Sequence, residues 1–168
     1  MGAAISVMCQ KPLLDYGAKA FADHKQGLCT YEVEQVILAI VVTTGIASIF
    51  LTKDCTPDYN SGLAHAVFYA LTNYPVIEEK HLHGEVVGFG VLLALLVDGQ
   101  KEEFEKIYAL NKAIGLPTTL EEIEITAEQW EESMHRIPDM SDVAHYPYRV
   151  TYEMLDNAMQ TLQAKKEA

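Results

Sequence analysis

The feature that most constrains the fold is an apolar run without a charge, VILAIVVTTGIASIFL, at residues 36–51. Such a run must be removed from water, either in a protein core or in a bilayer. A membrane span needs about 20 predominantly apolar residues. This run has sixteen, contains two threonines, a glycine and a serine, and lies between Glu34 and Lys53. We therefore predict a buried core helix of a soluble protein, with a membrane-inserted helix as the alternative.

The remaining apolar residues also recur at helical rather than strand spacing. No period-2 alternation extends beyond about four residues, and proline, glycine and capping residues mark the boundaries of the helices. The predicted helices begin and end near Pro12 and His24, Ser61 and Thr72, His83 and Gly99, Lys101 and Ile114, Thr126 and Ser133, and Thr151 and Lys165. The sequence predicts an all-α bundle of about seven helices in a single domain, residues 1–168.

Composition excludes several classes of partner. The formal net charge of −12 and the pI of about 4.8 argue against binding to nucleic acids and to anionic membranes, both of which need a basic surface. The three cysteines, Cys9, Cys29 and Cys55, lie far apart without a CxxC pair, so neither a disulfide framework nor a zinc ribbon is indicated. We expect a soluble protein of the cytoplasm.

Two histidines, His65 and His83, are the best indication of chemistry. Each lies beside small residues on a predicted buried helix, and a neutral imidazole there can coordinate a divalent metal. The positive end of the helix dipole near His83 disfavours an imidazolium and keeps that ring neutral. The alternative is a pair of hydrogen-bonded core histidines, and two ligands do not complete a metal site. Glycines at positions 84, 88 and 90 predict close approach of another backbone or of a bound molecule.

The motifs around these histidines resemble a known family. GLAHAVFYALT at residues 62–72 and HLHGEVVGFG at residues 81–90 are similar to the C-terminal half of glycerol dehydrogenase and its relatives in the metal-dependent, iron-containing type alcohol dehydrogenase superfamily. Two further segments, residues 107–122 with GLPTTLEE and residues 147–151 with PYRVT, are similar to the same family. The resemblance extends from about Leu13 to near the chain end.

The resemblance implies that His65 and His83 are two ligands of a catalytic divalent metal, zinc or iron. The metal polarises the hydroxyl of a small alcohol, or a carbonyl group, for hydride transfer with NAD(P). The resemblance also places the helix of residues 36–51 at the centre of the domain. The family's remaining ligand, an aspartate, falls before Met1, and the N-terminal nucleotide-binding domain has no counterpart, since no glycine-rich phosphate-binding turn occurs. We therefore expect a fragment, or a product whose partner is encoded elsewhere, that binds no NAD(P) and is inactive alone.

Three groups of residues either differ from the family pattern or have two possible interpretations. Phe68 and Tyr69 occupy the region where the family commonly has a second histidine, which favours a less polar substrate if they line the pocket, or plain core packing if they do not. Glu85 is either a group that holds an imidazole through its second nitrogen or a first-turn glutamate favoured by the helix dipole. Acidic and thiol groups at positions 54, 55 and 58 are alternative metal ligands in principle, but the resemblance gives them no such role.

Two functions of different classes follow. The first is the helical, metal-binding half of an NAD(P)-dependent alcohol dehydrogenase that resembles glycerol dehydrogenase. The second is a stand-alone helical binding or assembly module, a redox-inactive remnant of that family. In the second case exposed apolar surface would drive partner binding or the formation of a homo-oligomer.

Overall fold

A computed structural model describes residues 2–51 and 61–167, which belong to two compact units, one within residues 1–60 and the other within residues 61–168. Every regular element in the described ranges is helical, and none of these residues forms a strand, which confirms the all-α fold class. The nine α-helices of these ranges are α1 (Gly2–Lys25), α2 (Tyr31–Leu38), α3 (Thr44–Leu51), α4 (Leu63–Leu71), α5 (Pro75–Lys80), α6 (His83–Val97), α7 (Lys101–Ile114), α8 (Ala127–Met134) and α9 (Tyr152–Glu167). That the whole chain is one domain stays a prediction.

The first unit is a helical hairpin. Helix α1 packs against α2, against the π-helical turn Ala39–Thr43 and against α3, and the last three form one continuous helix, Tyr31–Leu51. The predicted start of α1 at Pro12 is wrong, because the helix begins at Gly2 and Pro12 lies inside it. Proline removes one backbone donor from the hydrogen-bond ladder, but it does not end a helix that packs along its length against another. The predicted end is confirmed, since Gly27 closes α1 with a φ of 71°.

The helix of residues 36–51 is not a buried core helix, and that prediction is wrong. Only Ala39 and Ala47 are buried within the run, and the large side chains around them are exposed. These two alanines face α1, which is the one other helix of its unit that this run contacts among the described residues. Tyr31–Leu51 has 21 residues, and its most apolar stretch of 18 residues has a mean hydropathy of 2.0. By length and composition the helix could therefore cross a membrane, and 17% of that stretch is buried.

The second unit contains a core built from α4, α6, α8 and α9 and the turns between them. Helix α6 contacts α4, α7 and α9 and buries Val86, Phe89, Leu92 and Leu93 among them. Other core residues are Leu63, Val67, Leu71, Ile77, Phe104, Ile123, Trp130, Met134, Ile137, Leu155, Met159 and Leu162. This unit has the buried apolar core that the sequence predicts for the whole chain.

Gly90 sets the distance between α4 and α6. A Cβ atom added to Gly90 would lie 2.6 Å from the carbonyl oxygen of Ala64, closer than real side chains approach a backbone. The predicted close approach is therefore confirmed at this glycine. At Gly88 an added Cβ would make an ordinary contact of 3.6 Å with the side chain of Leu116, and at Gly84 it would meet no atom within 4 Å. One of the three glycines thus determines how the helices that carry His65 and His83 cross.

The later helices follow local signals. Helix α7 has the predicted bounds, and Gly115 ends it in the left-handed conformation with a φ of 77°. Thr126, the predicted start of α8, forms a capping box with Gln129, in which the Thr126 hydroxyl accepts from the Gln129 N–H and the Gln129 carboxamide accepts from the Thr126 N–H. The N–H of Met154 donates to the Thr151 hydroxyl at the start of α9. These boundaries agree with the sequence because a few neighbouring residues determine each of them.

Candidate metal centre

The two predicted metal ligands lie side by side. His65 is the third residue of α4, directly after Ala64, and His83 is the first residue of α6. The contact of Ala64 with Gly90 holds the two helices together, and the centroids of the imidazole rings are 5.5 Å apart with an angle of 42° between their planes. Zinc–nitrogen bonds are about 2.0–2.1 Å long, and two rings at this separation are close enough to share one ion.

Burial favours the neutral form of His65. Its pKa lies below the ordinary value first because burial penalises the charged ring and then because His83 is near, while the carboxylate of Asp142 opposes the shift. A neutral imidazole has a free nitrogen lone pair, which is the form that binds a metal. The environment of the ring therefore keeps His65 in the neutral form that can bind a metal, so binding does not first require an imidazolium to lose its proton.

Asp142 is a residue that sequence reasoning missed. It lies in the 3₁₀ turn Ser141–Val143, its carboxylate accepts a hydrogen bond from the Ser61 hydroxyl, and its charge acts on His65. The 3₁₀ turn contacts α4, which brings a group from 77 residues further along the chain, from position 65 to position 142, to the start of that helix. No local sequence signal connects such distant residues.

The aromatic pair after His65 reaches the same place. The ring of Phe68 meets the ring of His83 edge to face at 4.4 Å between centroids, and the ring of Tyr69 lies 6.5 Å from that of His65. Tyr69 is 45% exposed, so it borders the open side of the pair, while Phe68 is half-buried and also packs against the core. The structure thus brings together all four residues that the sequence singled out here, and a role of the aromatic rings in a substrate pocket stays a prediction.

Glu85 contacts a different histidine. Its carboxylate accepts from the Leu82 N–H at 3.0 Å and lies 3.6 Å from Nδ1 of His81. The first contact is the capping interaction expected of a first-turn glutamate. The Nε2 atom of His81 is buried without a hydrogen-bond partner, beside a cavity of about 410 Å³. The cavity is lined by Lys80, His81, Glu85, Lys112, Gly115, Leu116, Pro117 and Glu122. Sequence reasoning missed His81, since only tertiary packing buries it.

The histidine pair fits half of a metal site. Catalytic zinc usually has three protein ligands and one open position. Within residues 2–51 and 61–167, no group of three His, Cys, Asp or Glu side chains is close enough to hold an ion. Asp54, Cys55 and Asp58, the alternative ligands considered from the sequence, lie outside the described residues. The described part of the chain therefore offers two neighbouring imidazoles, and a catalytic zinc held by them would need further ligands.

Comparison with known proteins identifies relatives of this chain. No protein family model matches the chain. The glycerol dehydrogenase of Thermotoga maritima is 32% identical over 137 residues, which are 78% of this chain and 34% of the relative. That of Escherichia coli O6:H1 is 34% identical over 126 residues, 73% of this chain and 31% of the relative. The chain is a homologue of the glycerol dehydrogenases. The family resemblance expected from its motifs is confirmed.

Solved structures of the glycerol dehydrogenase group share the fold. A probable glycerol dehydrogenase from Sinorhizobium meliloti 1021 superposes with a TM-score of 0.78 at 25% identity, covering 99% of this chain and 46% of the neighbour. Glycerol dehydrogenase from Schizosaccharomyces pombe has a TM-score of 0.77 at 22% identity, which supports the fold. The chain spans about a third of the length of the curated glycerol dehydrogenases it matches, so most of each relative has no counterpart in it.

Proposed function

We propose that this chain is the helical, metal-binding part of an NAD(P)-dependent dehydrogenase of the glycerol dehydrogenase kind, with His65 and His83 as two of the metal ligands. The observation that carries the proposal is the 5.5 Å separation of the two imidazole rings, in a chain homologous to glycerol dehydrogenases. The metal is zinc or iron. A third ligand and the nucleotide-binding part belong to regions outside the described residues.

Each group near the pair has a role in this proposal. Burial keeps His65 neutral, and the edge-to-face contact with Phe68 holds the ring of His83. The exposed side of the pair, next to Tyr69, leaves access for a small alcohol or carbonyl compound. When bound, a divalent metal supplies the Lewis acidity that polarises the substrate oxygen for hydride exchange with a nicotinamide. Phe68 and Tyr69 would favour a substrate less polar than glycerol.

Metal titration tests the proposal. We expect the chain to bind Co²⁺ or Zn²⁺ weakly, because two ligands form an incomplete site, and we expect His65→Ala and His83→Ala each to weaken binding at least about tenfold. The double variant should bind only slightly more weakly than either single variant, because most of the affinity comes from chelation by the two imidazoles together. Calorimetry and the visible spectrum of bound Co²⁺ measure both effects. His24→Ala, which removes an exposed histidine from α1, is the matched control and should bind like the wild type.

An activity assay tests whether the chain alone is a catalytically incomplete part of a dehydrogenase. With metal and NAD(P) added, the purified chain should oxidise no alcohol, because it lacks a phosphate-binding turn. Undiminished metal binding in both single histidine variants would contradict the assignment of the ligands, and alcohol oxidation by the chain alone would contradict its incompleteness.

A second candidate function rests on a different observation. The large exposed side chains of Tyr31–Leu51 favour a binding or assembly module that retains the family fold without redox chemistry. A well-folded chain that binds no metal but associates through this helix would favour this function over the dehydrogenase proposal.

A further inference from the structure

We propose that Asp142 is a positioning residue of the metal centre, whose carboxylate increases the affinity of His65 and His83 for a divalent metal without binding the ion itself. The observation that carries the inference is the hydrogen bond of this carboxylate to Ser61, at the start of the helix that carries His65. The inference rests on the proposed function, because it needs the two histidines to be metal ligands. It adds a negative charge to a pair of imidazoles that bring none.

A distant turn of the chain contacts the start of α4. The N-terminal capping residue of α4 is Gly62, which has no side chain to accept a hydrogen bond from the first backbone N–H groups. The residue before it, Ser61, donates its hydroxyl hydrogen to the Asp142 carboxylate. The ring of Tyr146 also reaches this place, since a Cβ atom added to Gly62 would lie 3.6 Å from it. The segment that carries Asp142 is therefore attached to the chain within four residues of His65.

Packing and hydrogen bonds fix the position of the Asp142 carboxylate. The next residue, Val143, is 7% exposed and belongs to the hydrophobic core, which anchors the 3₁₀ turn Ser141–Val143. One carboxylate oxygen accepts from Ser61, and the other lies 3.4 Å from the Ser141 hydroxyl, which donates to it. A group that is already held in this way loses little further freedom when an ion binds nearby.

A negative charge at this position favours a cation on the histidines. Metal-binding imidazoles are neutral, so they leave both charges of a divalent ion uncompensated. Burial and then His83 lower the pKa of the His65 ring, while the Asp142 charge raises it, which shows that the carboxylate acts on this ring. An electrostatic field that favours a proton on the ring also favours a metal ion bound to it. Asp142 should therefore strengthen metal binding.

Asp142 does not act as a third ligand. Within residues 2–51 and 61–167, no three His, Cys, Asp or Glu side chains lie close enough to hold one ion, and this includes Asp142 with the two histidines. A carboxylate that binds zinc must approach to about 2.0–2.2 Å, whereas its charge acts over several ångströms. We therefore expect Asp142 to change the strength of metal binding and to leave the number of ligands unchanged.

Metal titration of charge variants of the full chain tests the inference. We expect Asp142→Asn to lower the affinity for Zn²⁺ and Co²⁺ about tenfold, because the amide keeps an acceptor for Ser61 but carries no charge. Asp142→Glu retains the charge and should recover most of the affinity. The visible spectrum of bound Co²⁺ should be the same in the wild type and in Asp142→Asn, because the ligands do not change.

Asp139→Asn is the matched control for the loss of one negative charge. Asp139 lies in the neighbouring 3₁₀ turn, Ile137–Asp139, and its side chain is 83% exposed, so this variant should bind metal like the wild type. Circular dichroism and urea unfolding of the metal-free chain check the fold. Asp142→Asn should resemble the wild type in both, because the core packing of Val143 and an acceptor for Ser61 remain.

Several outcomes would overturn the inference. These are wild-type affinity in Asp142→Asn, an equal loss of affinity in Asp139→Asn, and an Asp142→Glu variant that binds no better than Asp142→Asn. A loss of affinity that follows a loss of folded structure would make the role purely structural, and a changed Co²⁺ spectrum in Asp142→Asn would make Asp142 a ligand. If His65→Ala and His83→Ala weaken binding but Asp142→Asn does not, this inference fails alone. If the histidine variants bind like the wild type, the proposed function fails with it.

Discussion

Two apolar helices of this chain have opposite environments. Helix α6 and the helix Tyr31–Leu51 are both long and lack charges over most of their length, yet α6 buries its large residues and Tyr31–Leu51 exposes them. The difference lies in their neighbours, since α6 contacts α4, α7 and α9, whereas Tyr31–Leu51 has α1 alone within its unit among the described residues. The apolar composition of a helix therefore shows that its surface must be buried. The number of neighbouring helices determines whether the same chain buries it.

The largest expected effect compares one phenylalanine from each helix. Phe89 of α6 is fully buried against Trp130, and Phe89→Ala should lower the free energy of unfolding by about 3–5 kcal/mol. Phe50 is 52% exposed, and Phe50→Ala should change it by no more than about 0.5 kcal/mol. Urea unfolding of the wild type and of each variant measures both effects. Equal losses at the two positions would show that Tyr31–Leu51 is covered within one chain.

The intermediate effect compares two helical glycines. Gly90→Ala should destabilise by about 1–3 kcal/mol, because the new methyl group would overlap the backbone of Ala64. Gly45→Ala meets no atom within 4 Å and should stabilise by about 0.5–1 kcal/mol through helix propensity. Thermal unfolding of the two variants gives the signs. A stabilising alanine at position 90 would mean that α4 and α6 can separate without loss, contrary to the close packing that distinguishes α6.

The smallest effect is a pH dependence of the free energy of unfolding that arises in the second unit, which contains the buried helix α6. Burial, and then the nearby His83, lower the pKa of His65, so the unfolded chain binds this proton more readily than the folded chain. The free energy of unfolding should therefore fall as the pH decreases through the ordinary histidine value of 6.5. His65→Gln should reduce this dependence. Denaturant titrations of the metal-free chain above and below that pH measure it, and an unchanged slope in His65→Gln would show that another group is responsible.

Much of the fold could be predicted where short-range chemistry decides it. The end of α7 follows from Gly115 and Pro117, because the left-handed glycine lets the N–H of Leu116 reach the carbonyl of Asn111 at 2.8 Å. Gly90 likewise indicated a close approach, since a helix interior tolerates glycine only at some cost. The motifs around His65 and His83 predicted the family, and the structure places the two rings beside each other. That the two histidines bind a metal stays a prediction.

The features that sequence reasoning missed depend on distant residues. Pro12 is a common first residue of a helix, and only the packing of α1 along its partner shows that the helix continues through it. The run at residues 36–51 has the composition of a core helix, but burial depends on how many other elements contact it. Asp142 and His81 carry no local signal, because their positions beside His65 and beside the cavity result from tertiary packing.

The π-helical turn has a consequence for how the hairpin is aligned. Ala39 and Ala47 are eight residues apart, or about 2.2 turns at 3.6 residues per turn, and in regular winding they would face about 80° away from each other. The wider turn at Ala39–Thr43, where Thr44 bonds back to the Ala39 carbonyl, takes up that rotation and lets both alanines face α1. Deleting one residue there would leave the alanines seven residues apart, and regular winding would then keep them within about 20° of each other. The wider turn therefore accommodates one residue more than regular winding allows and keeps the same side of α3 against α1.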